Sequence, residues 1–412
     1  MDADALRPSW DARARLWGSR LVALGALILL AGMFLTPPVL NIGLAAGIAG
    51  LLLLRPPLWR WPVVIAGAAL AAWILLSVLL AVLRDQPAAG RIPGTVYNWL
   101  AIPIVAVAAA DAAWRRLALR IVLAVAGFAV LIALLQWTLG SGDDAFLRIR
   151  PEGKAFTRTR GLSDLSLTFG FVCSLLAVIS LAPGRELGQS AWWAWTARTI
   201  CAFGVLTCGA RGALAGGIAG VSAALGARGR RWLIGGIIAG LVLTGIGLGA
   251  VMLKSERRFK QMISGENGRW AIWAATAEII KDHPVVGIGG RPAYQAAYNE
   301  AYARAAPPIP NEFAKDGGPH AHNTILAFVA EHGPPAALLH LALIGTVLVA
   351  TWRRRRESPG AWQAACGIAT VGLVAGMVEP YASRSVPGLG FHACLGFALG
   401  MALTRTEQAP TP

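Results

Sequence analysis

The sequence predicts an all-α, polytopic transmembrane helical bundle of about 12 spans with a helical loop domain on one side. Three observations carry this. Of the 412 residues, 56% are hydrophobic and only 14% charged, and the mean hydropathy is +0.58, where a soluble domain of this length needs more charge. Apolar runs near twenty residues, the length of a membrane-crossing helix, recur along the whole chain. Arginines concentrate in alternate inter-run segments, as the positive-inside rule requires.

The runs fall at 16–35, 39–54, 62–83, 94–110, 117–139, 162–182, 192–209, 212–226, 232–252, 324–351, 361–379 and 386–404. They divide the chain into residues 1–252 with nine spans, a large loop at 253–323, and residues 324–412 with three spans and a C-terminal tail. The first run follows an Arg-rich start (Arg7, Arg13, Arg15, Arg20) and lacks a small-residue cleavage site, so it reads as a span and not as a signal peptide. The second and eighth are short, so their ends reach into the interface.

With the N-terminus in the cytoplasm, the inner segments carry Arg55, Arg60, Arg115, Arg116, Arg185, Arg228, Arg230, Arg231, the run Arg353 to Arg356, and Arg405. The short outer segments hold Arg84, Arg91, Arg211 and Arg384. The expectation is an inner (cytoplasmic) membrane protein with both termini inside. The net charge of +16 fits positive-inside loops first and an anionic ligand second; nucleic acid is disfavoured because no basic soluble domain exists. Cys173, Cys201, Cys208, Cys366 and Cys394 lie in or beside apolar runs, without the spacing of a zinc site or a disulfide framework.

Two outer segments break the charge rule. Residues 140–161 hold five basic residues, and 253–323 forms the one candidate extramembrane domain. Outer basic residues need a separate reason, either an anionic substrate or lipid headgroups. Within the long loop, 268–282 places Trp270, Trp273, Ala277 and Ile280 on one helical face, and Pro284 stops that helix. A tight turn, Gly287-Ile288-Gly289-Gly290, precedes a second helix with Pro292 in its first turn and Tyr294, Tyr298 and Tyr302 in a stripe. Two amphipathic helices along the outer surface are expected, followed by a Pro/Gly-rich, lid-like stretch at 305–319.

Six histidines are present: His283, His320, His322, His332, His340 and His392. His322 stands out because Asn323 follows and an apolar helix begins at once. The positive end of a helix dipole disfavours imidazolium, leaving a neutral base for a sugar hydroxyl; the bland alternative makes His320-Ala321-His322-Asn323 a polar helix cap. Metal binding by His320 and His322 lacks an evident third ligand. Arg211 lies in a very short turn, where a charge is costly unless it faces a polar cavity. Arg269 opens the first loop helix, a ready anion site, and Arg291 follows the Gly-rich turn. Together these could clamp a diphosphate; interface snorkelling or solvated surface positions are the alternatives. The Tyr294/Tyr298 stripe suits sugar stacking or an interfacial aromatic belt. Asp2-Ala3-Asp4 and Asp143-Asp144 read as chance and loop surface. Glu331 and His332 lie inside an apolar helix and face the bundle interior, and Glu379 ends a span at the interface.

The ordered set Arg211-Gly212, Arg269 with Trp273, His283-Pro284-Val285-Val286-Gly287-Ile288-Gly289 and His320-Ala321-His322-Asn323 resembles the O-antigen ligase/polymerase superfamily across residues 205 to 340. The ligase-type pattern, His-Asn/Ser/Gln, nine residues, then Gly, is met by His322-Asn323 and Gly333; its final Gly, Thr or Tyr is Ala336 here. The resemblance implies transfer of a glycan from undecaprenyl diphosphate to the lipid A-core acceptor, at the periplasmic face and without nucleotide or metal cofactor. It implies His322 as the catalytic base and Arg211 and Arg269 as diphosphate-binding residues. Arg291 stays a further diphosphate candidate, and Asn323, His320, Tyr294 and Tyr298 are possible supporting residues. O-antigen polymerases and protein O-oligosaccharyltransferases are relatives that remain open. A glycolipid transporter is the rival from another class; it needs midplane charges and paired broken helices, and neither is found.

Overall fold

The computed structural model describes residues 10–86, 93–139, 161–163, 166–229, 231, 234, 269–305, 320–381 and 385–404. Among them are helices and no strand, as lipid requires when every backbone group must be satisfied within its own segment. In order these are α1 (Trp10–Gly32), α2 (Pro37–Leu54), α3 (Pro62–Leu83), α4 (Thr95–Asn98), α5 (Ala101–Ala109), α6 (Ala112–Leu139), α7 (Ser166–Ile179) and α8 (Gly184–Leu187). Then follow α9 (Ala191–Cys208), α10 (Arg211–Gly226), α11 (Arg269–Asp282), α12 (Arg291–Ala305), α13 (Thr324–His332), α14 (Pro334–Arg353), α15 (Pro359–Gly376) and α16 (Ser385–Leu403).

Six helices are long and apolar enough to cross a bilayer: α1, α2, α3, α6, α14 and α16. The sequence expectation of about twelve is therefore not met among the described residues, for local reasons. The apolar run at 94–110 divides into α4 and the fully packed, nine-residue α5. The run at 324–351 breaks at Gly333, whose φ of 80° suits glycine; Pro334 and Pro335 then open α14 at its first turn. That leaves α13 nine residues long, about 13 Å at 1.5 Å per residue, too short to cross. The runs at 162–182, 192–209, 212–226 and 361–379 become α7, α9, α10 and α15, of 14 to 18 residues. The expected span 232–252 except residue 234, the basic stretch up to residue 160 and the lid-like stretch from 306 to 319 lie outside the described residues.

The bundle is organised around α16, whose apolar window is 94% buried, and α5, α7, α14 and α15 pack against it. A Cβ at Gly396 would sit 2.4 Å from the Ile102 carbonyl oxygen, so α5 and α16 meet backbone to backbone, as small residues permit in membrane bundles. Helices α10 and α15 run antiparallel: Gly212 faces Val378, Gly216 faces Ala375 and Gly220 faces Val371. None of the five cysteines, all among the described residues, is in a disulfide.

The two ends of the bundle differ. At one end Arg115 donates to the carbonyls of Ala109 (2.6 Å) and Glu186 (3.2 Å) and to Thr404 Oγ1 (2.6 Å). There the Glu186 carboxylate accepts from Gly360 N and Ser358 Oγ, and Arg228 donates to Gln363 Oε1 at 3.0 Å. The other end, about 27 Å away along the eighteen residues of α15, carries α11, α12 and α13.

These three helices build a second core from Ile272, Ile279, Tyr294, Tyr298, Ala327 and their neighbours. The expected apolar face of α11 is corrected: Ala271, Ile272, Ala275, Thr276 and Ile279 are buried, while Trp270 is 69% exposed and Ala277 is exposed. A helix wedged between two others buries a face set by both partners, and α11 contacts α12 and α13. The tyrosine reading is also corrected. Tyr294 and Tyr298 are fully buried, and Tyr294 Oη lies 2.8 Å from Thr276 Oγ1, so they fill the core and offer no face to a sugar. The turn at 287–290 fastens this unit to α13, with Ile288 N donating to Ala330 O and Gly289 N to Glu331 O at 2.9 and 2.8 Å. Those carbonyls are the orphans of a helix end.

Candidate active site

Asn323 caps α13, its Oδ1 accepting from Leu326 N at 3.0 Å, which satisfies a free amide of the first turn. Its Nδ2 donates to Met377 O at 3.3 Å, tying the helix start to the end of α15. Thr324 Oγ1 adds a 3.1 Å bond to Glu379 O. The segment 377–381 beyond α15 is thereby held against the entry of α13.

Immediately before the cap, His322 has φ +48°. A non-glycine residue in the left-handed region costs on the order of 1–2 kcal/mol, and such strain concentrates where function fixes a side chain. Two contacts hold it. His322 N donates to His320 Nδ1 at 3.2 Å, with the rings 4.0 Å apart, and Trp273 Nε1 donates to Ala321 O at 3.0 Å. His320 is 3% exposed.

The imidazole of His322 meets Glu379: Nδ1 and Oε1 are 3.3 Å apart. Glu379 is 5% exposed, and Arg269 Nη2 lies 4.0 Å from the same oxygen. A carboxylate on Nδ1 makes that nitrogen the donor and leaves the lone pair on Nε2.

Arg211 opens α10, and its neighbour Gly212 lies against Val378 and Tyr381. Its exposed side chain therefore starts beside the segment that carries Glu379. Arg211, Arg269, His320, His322 and Asn323 thus come to one end of the bundle, although 111 positions separate the first from His322 in the chain. Arg291 stands elsewhere: its charge acts on Glu331, at the opposite end of α13. Burial, offset in part by Arg291, raises the Glu331 carboxyl to about 7. His332, beside it, bonds Ser77 Oγ through Nδ1 at 2.7 Å and lies 3.9 Å from Glu331.

Glu379 is the member that sequence reasoning missed, having been placed at the interface. Its carboxylate also supplies the third group that seemed lacking for a metal: ligand atoms of His320, His322 and Glu379 lie within 4.8 Å of one another. The guanidinium of Arg269 on the same carboxylate adds a fixed positive charge that opposes a cation there. The arrangement suits an anion beside a base.

A comparison with curated proteins returns no match. A family model described as O-antigen ligase matches residues 197–341, just over a third of the chain, from within α9 to within α14; it contains Arg211, Arg269 and His322 and stops short of Glu379. Over those residues the chain is similar to the O-antigen ligase family, and its six long apolar helices are consistent with a membrane protein of that kind.

Proposed function

We propose that this protein is an O-antigen ligase that moves a glycan from undecaprenyl diphosphate to the lipid A-core at the periplasmic face of the inner membrane. The observation that carries the reading is the Glu379 carboxylate, which joins a base and a cation in one place: His322 at 3.3 Å and Arg269 at 4.0 Å. Charge supports the orientation. The end bearing Arg115, Arg228 and the Arg353–Arg356 run suits the cytoplasm, and the His322 end then faces outward.

In this mechanism His322 Nε2 takes the proton of the acceptor hydroxyl as its oxygen attacks the anomeric carbon. The bond from that carbon to the diphosphate oxygen breaks, and Arg211 and Arg269 stabilise the charge growing on the leaving group. Glu379 holds the ring and stabilises the imidazolium. An in-line displacement inverts the anomeric centre; retention in the product linkage counts against it. Arg291 serves Glu331 in this account and not the diphosphate. No step calls on a metal.

The test uses His322→Ala, Arg211→Ala and Arg269→Ala in cells, with insertion confirmed and lipopolysaccharide resolved on a gel. Bare lipid A-core with glycan accumulating on its carrier supports ligation. Core capped with a single repeat moves the assignment to a polymerase, and normal ladders from all three variants refute the site.

A further inference from the structure

Arg198 puts a full charge inside an apolar run. It lies within 192–209 and seven residues beyond the start of α9, about 10 Å along the helix at 1.5 Å per residue. A cation at such a depth is costly unless something neutralises it. Its Nη2 donates to Ser180 O at 2.9 Å, and its guanidinium stands over the Trp195 ring, 5.2 Å from the centroid. The charge that acts on it is a second cation, Arg228.

Two consecutive carbonyls hold the guanidinium groups side by side. Arg228, just past the end of α10, donates through Nη2 to Leu181 O, the next carbonyl after Ser180, and through Nε to Gln363 Oε1 at 3.0 Å. Both carbonyls follow the C-terminus of α7, a helix end equivalent to roughly half a negative charge. Against two full cations, that leaves an excess of roughly one and a half positive charges. The surroundings place the pair at a lipid surface. Trp192 and Trp195 are exposed, and exposed indoles collect at the headgroup level of a bilayer. Phe203 and Leu206, also exposed, continue the same side of α9 at helical spacing, so an apolar track leads away from the two arginines.

We propose that Arg198 and Arg228 bind the headgroup phosphate of an anionic phospholipid in the inner leaflet, with an acyl chain along the exposed side of α9. The leaflet rests on the orientation in the functional reading above; the phosphate site does not. A phosphate diester offers two free oxygens, one to each guanidinium, in charge-assisted bonds. Basic pockets between helices on the cytoplasmic side suit such headgroups. Selectivity follows from the excess charge: a headgroup with its own ammonium brings a third cation to the pair, so phosphatidylglycerol is favoured over phosphatidylcholine. A bound headgroup also joins the ends of α7 and α10 and, through Gln363, α15, and so stabilises that end of the bundle.

The test follows thermal unfolding of the full-length protein in detergent as phosphatidylglycerol, phosphatidylcholine or inorganic phosphate is added. Phosphatidylglycerol should raise the midpoint by about 3–5 °C at a hundredfold excess over its dissociation constant, and the other two should leave it unchanged. Arg198→Gln combined with Arg228→Gln should abolish the shift. Arg228→Gln alone serves if the pair does not fold, and should raise the lipid concentration at half-maximal shift about fivefold. Arg354→Gln combined with Arg356→Gln removes two charges from the same end of the bundle and should keep the full shift. No shift of wild type with phosphatidylglycerol, an equal shift with either other additive, an undiminished response in the Arg198 and Arg228 variants, or a response lost equally in the Arg354 and Arg356 variant overturns the proposal. None of these readouts involves glycan transfer, so the functional reading stands or falls separately.

Discussion

Replacing Glu379 by glutamine keeps the shape of the side chain and removes its charge. The structure sets the magnitude. The carboxylate is almost wholly buried and accepts from His322 Nδ1 at 3.3 Å, and a hydrogen bond to a charged group contributes about 1.5–3 kcal/mol. In the proposed mechanism that contact strengthens as the imidazole becomes charged, so the loss falls on the transition state. At 1.36 kcal/mol per tenfold, kcat should drop about 10- to 150-fold. The donor KM should not rise, because Arg269 loses a competitor for the diphosphate. Glu379→Asp, with the carboxylate drawn back by one methylene, should lie between wild type and Glu379→Gln. Initial rates with purified lipid-linked donor and lipid A-core separate kcat from KM. A Glu379→Gln enzyme with kcat within about twofold of wild type, or with a raised donor KM and unchanged kcat, refutes the positioning role.

Three further outcomes follow from the fold. Gly333→Ala puts a Cβ 1.9 Å from Val285 O at a φ of +80°, so it should destabilise by about 1–3 kcal/mol or more, read as a lower midpoint in detergent thermal unfolding. Tyr294→Phe removes the buried 2.8 Å contact with Thr276 and should cost about 1–3 kcal/mol of stability, read as a lower midpoint in detergent thermal unfolding; an unchanged midpoint contradicts the contact's role. Glu331, on the short helix ahead of the span, has its folded pKa raised by burial to about 7, so its contribution is intact below the ordinary carboxylate range and lost as pH rises through about 7. Glu331→Gln should therefore unfold at a higher temperature than wild type above pH 7, and the gap should close as pH falls to about 5; a gap that is independent of pH contradicts the burial argument.

The residues legible in the sequence were those whose local setting carries information. His322 sits one residue before a helix cap, Arg269 begins a helix, and Arg211 stands alone between two apolar helices, each a position where charge or a base has a stated physical consequence. Glu379 was illegible because its meaning depends on Asn323 and Thr324 reaching across to Met377 and Glu379, a contact between segments more than fifty residues apart. The break at Gly333 was visible in Gly333-Pro334-Pro335, but hydropathy across 324–351 outweighed three residues. The phase of α11 failed for a different reason. A flat interface would bury Trp270 and Ala277, whereas contact with both α12 and α13 turns Ile272 and Ile279 inward, and no pattern within a single helix reports two partners.

In the proposed function His322, Glu379 and the arginines that open α10 and α11 act in glycan transfer as one unit. The most direct measurement is reconstitution of the purified chain with glycan-charged undecaprenyl diphosphate and lipid A-core, with the product read by gel. Wild type should join glycan to core and release the diphosphate carrier, and an inserted, folded His322→Ala should form no product. Product from His322→Ala at the wild-type rate would contradict the account.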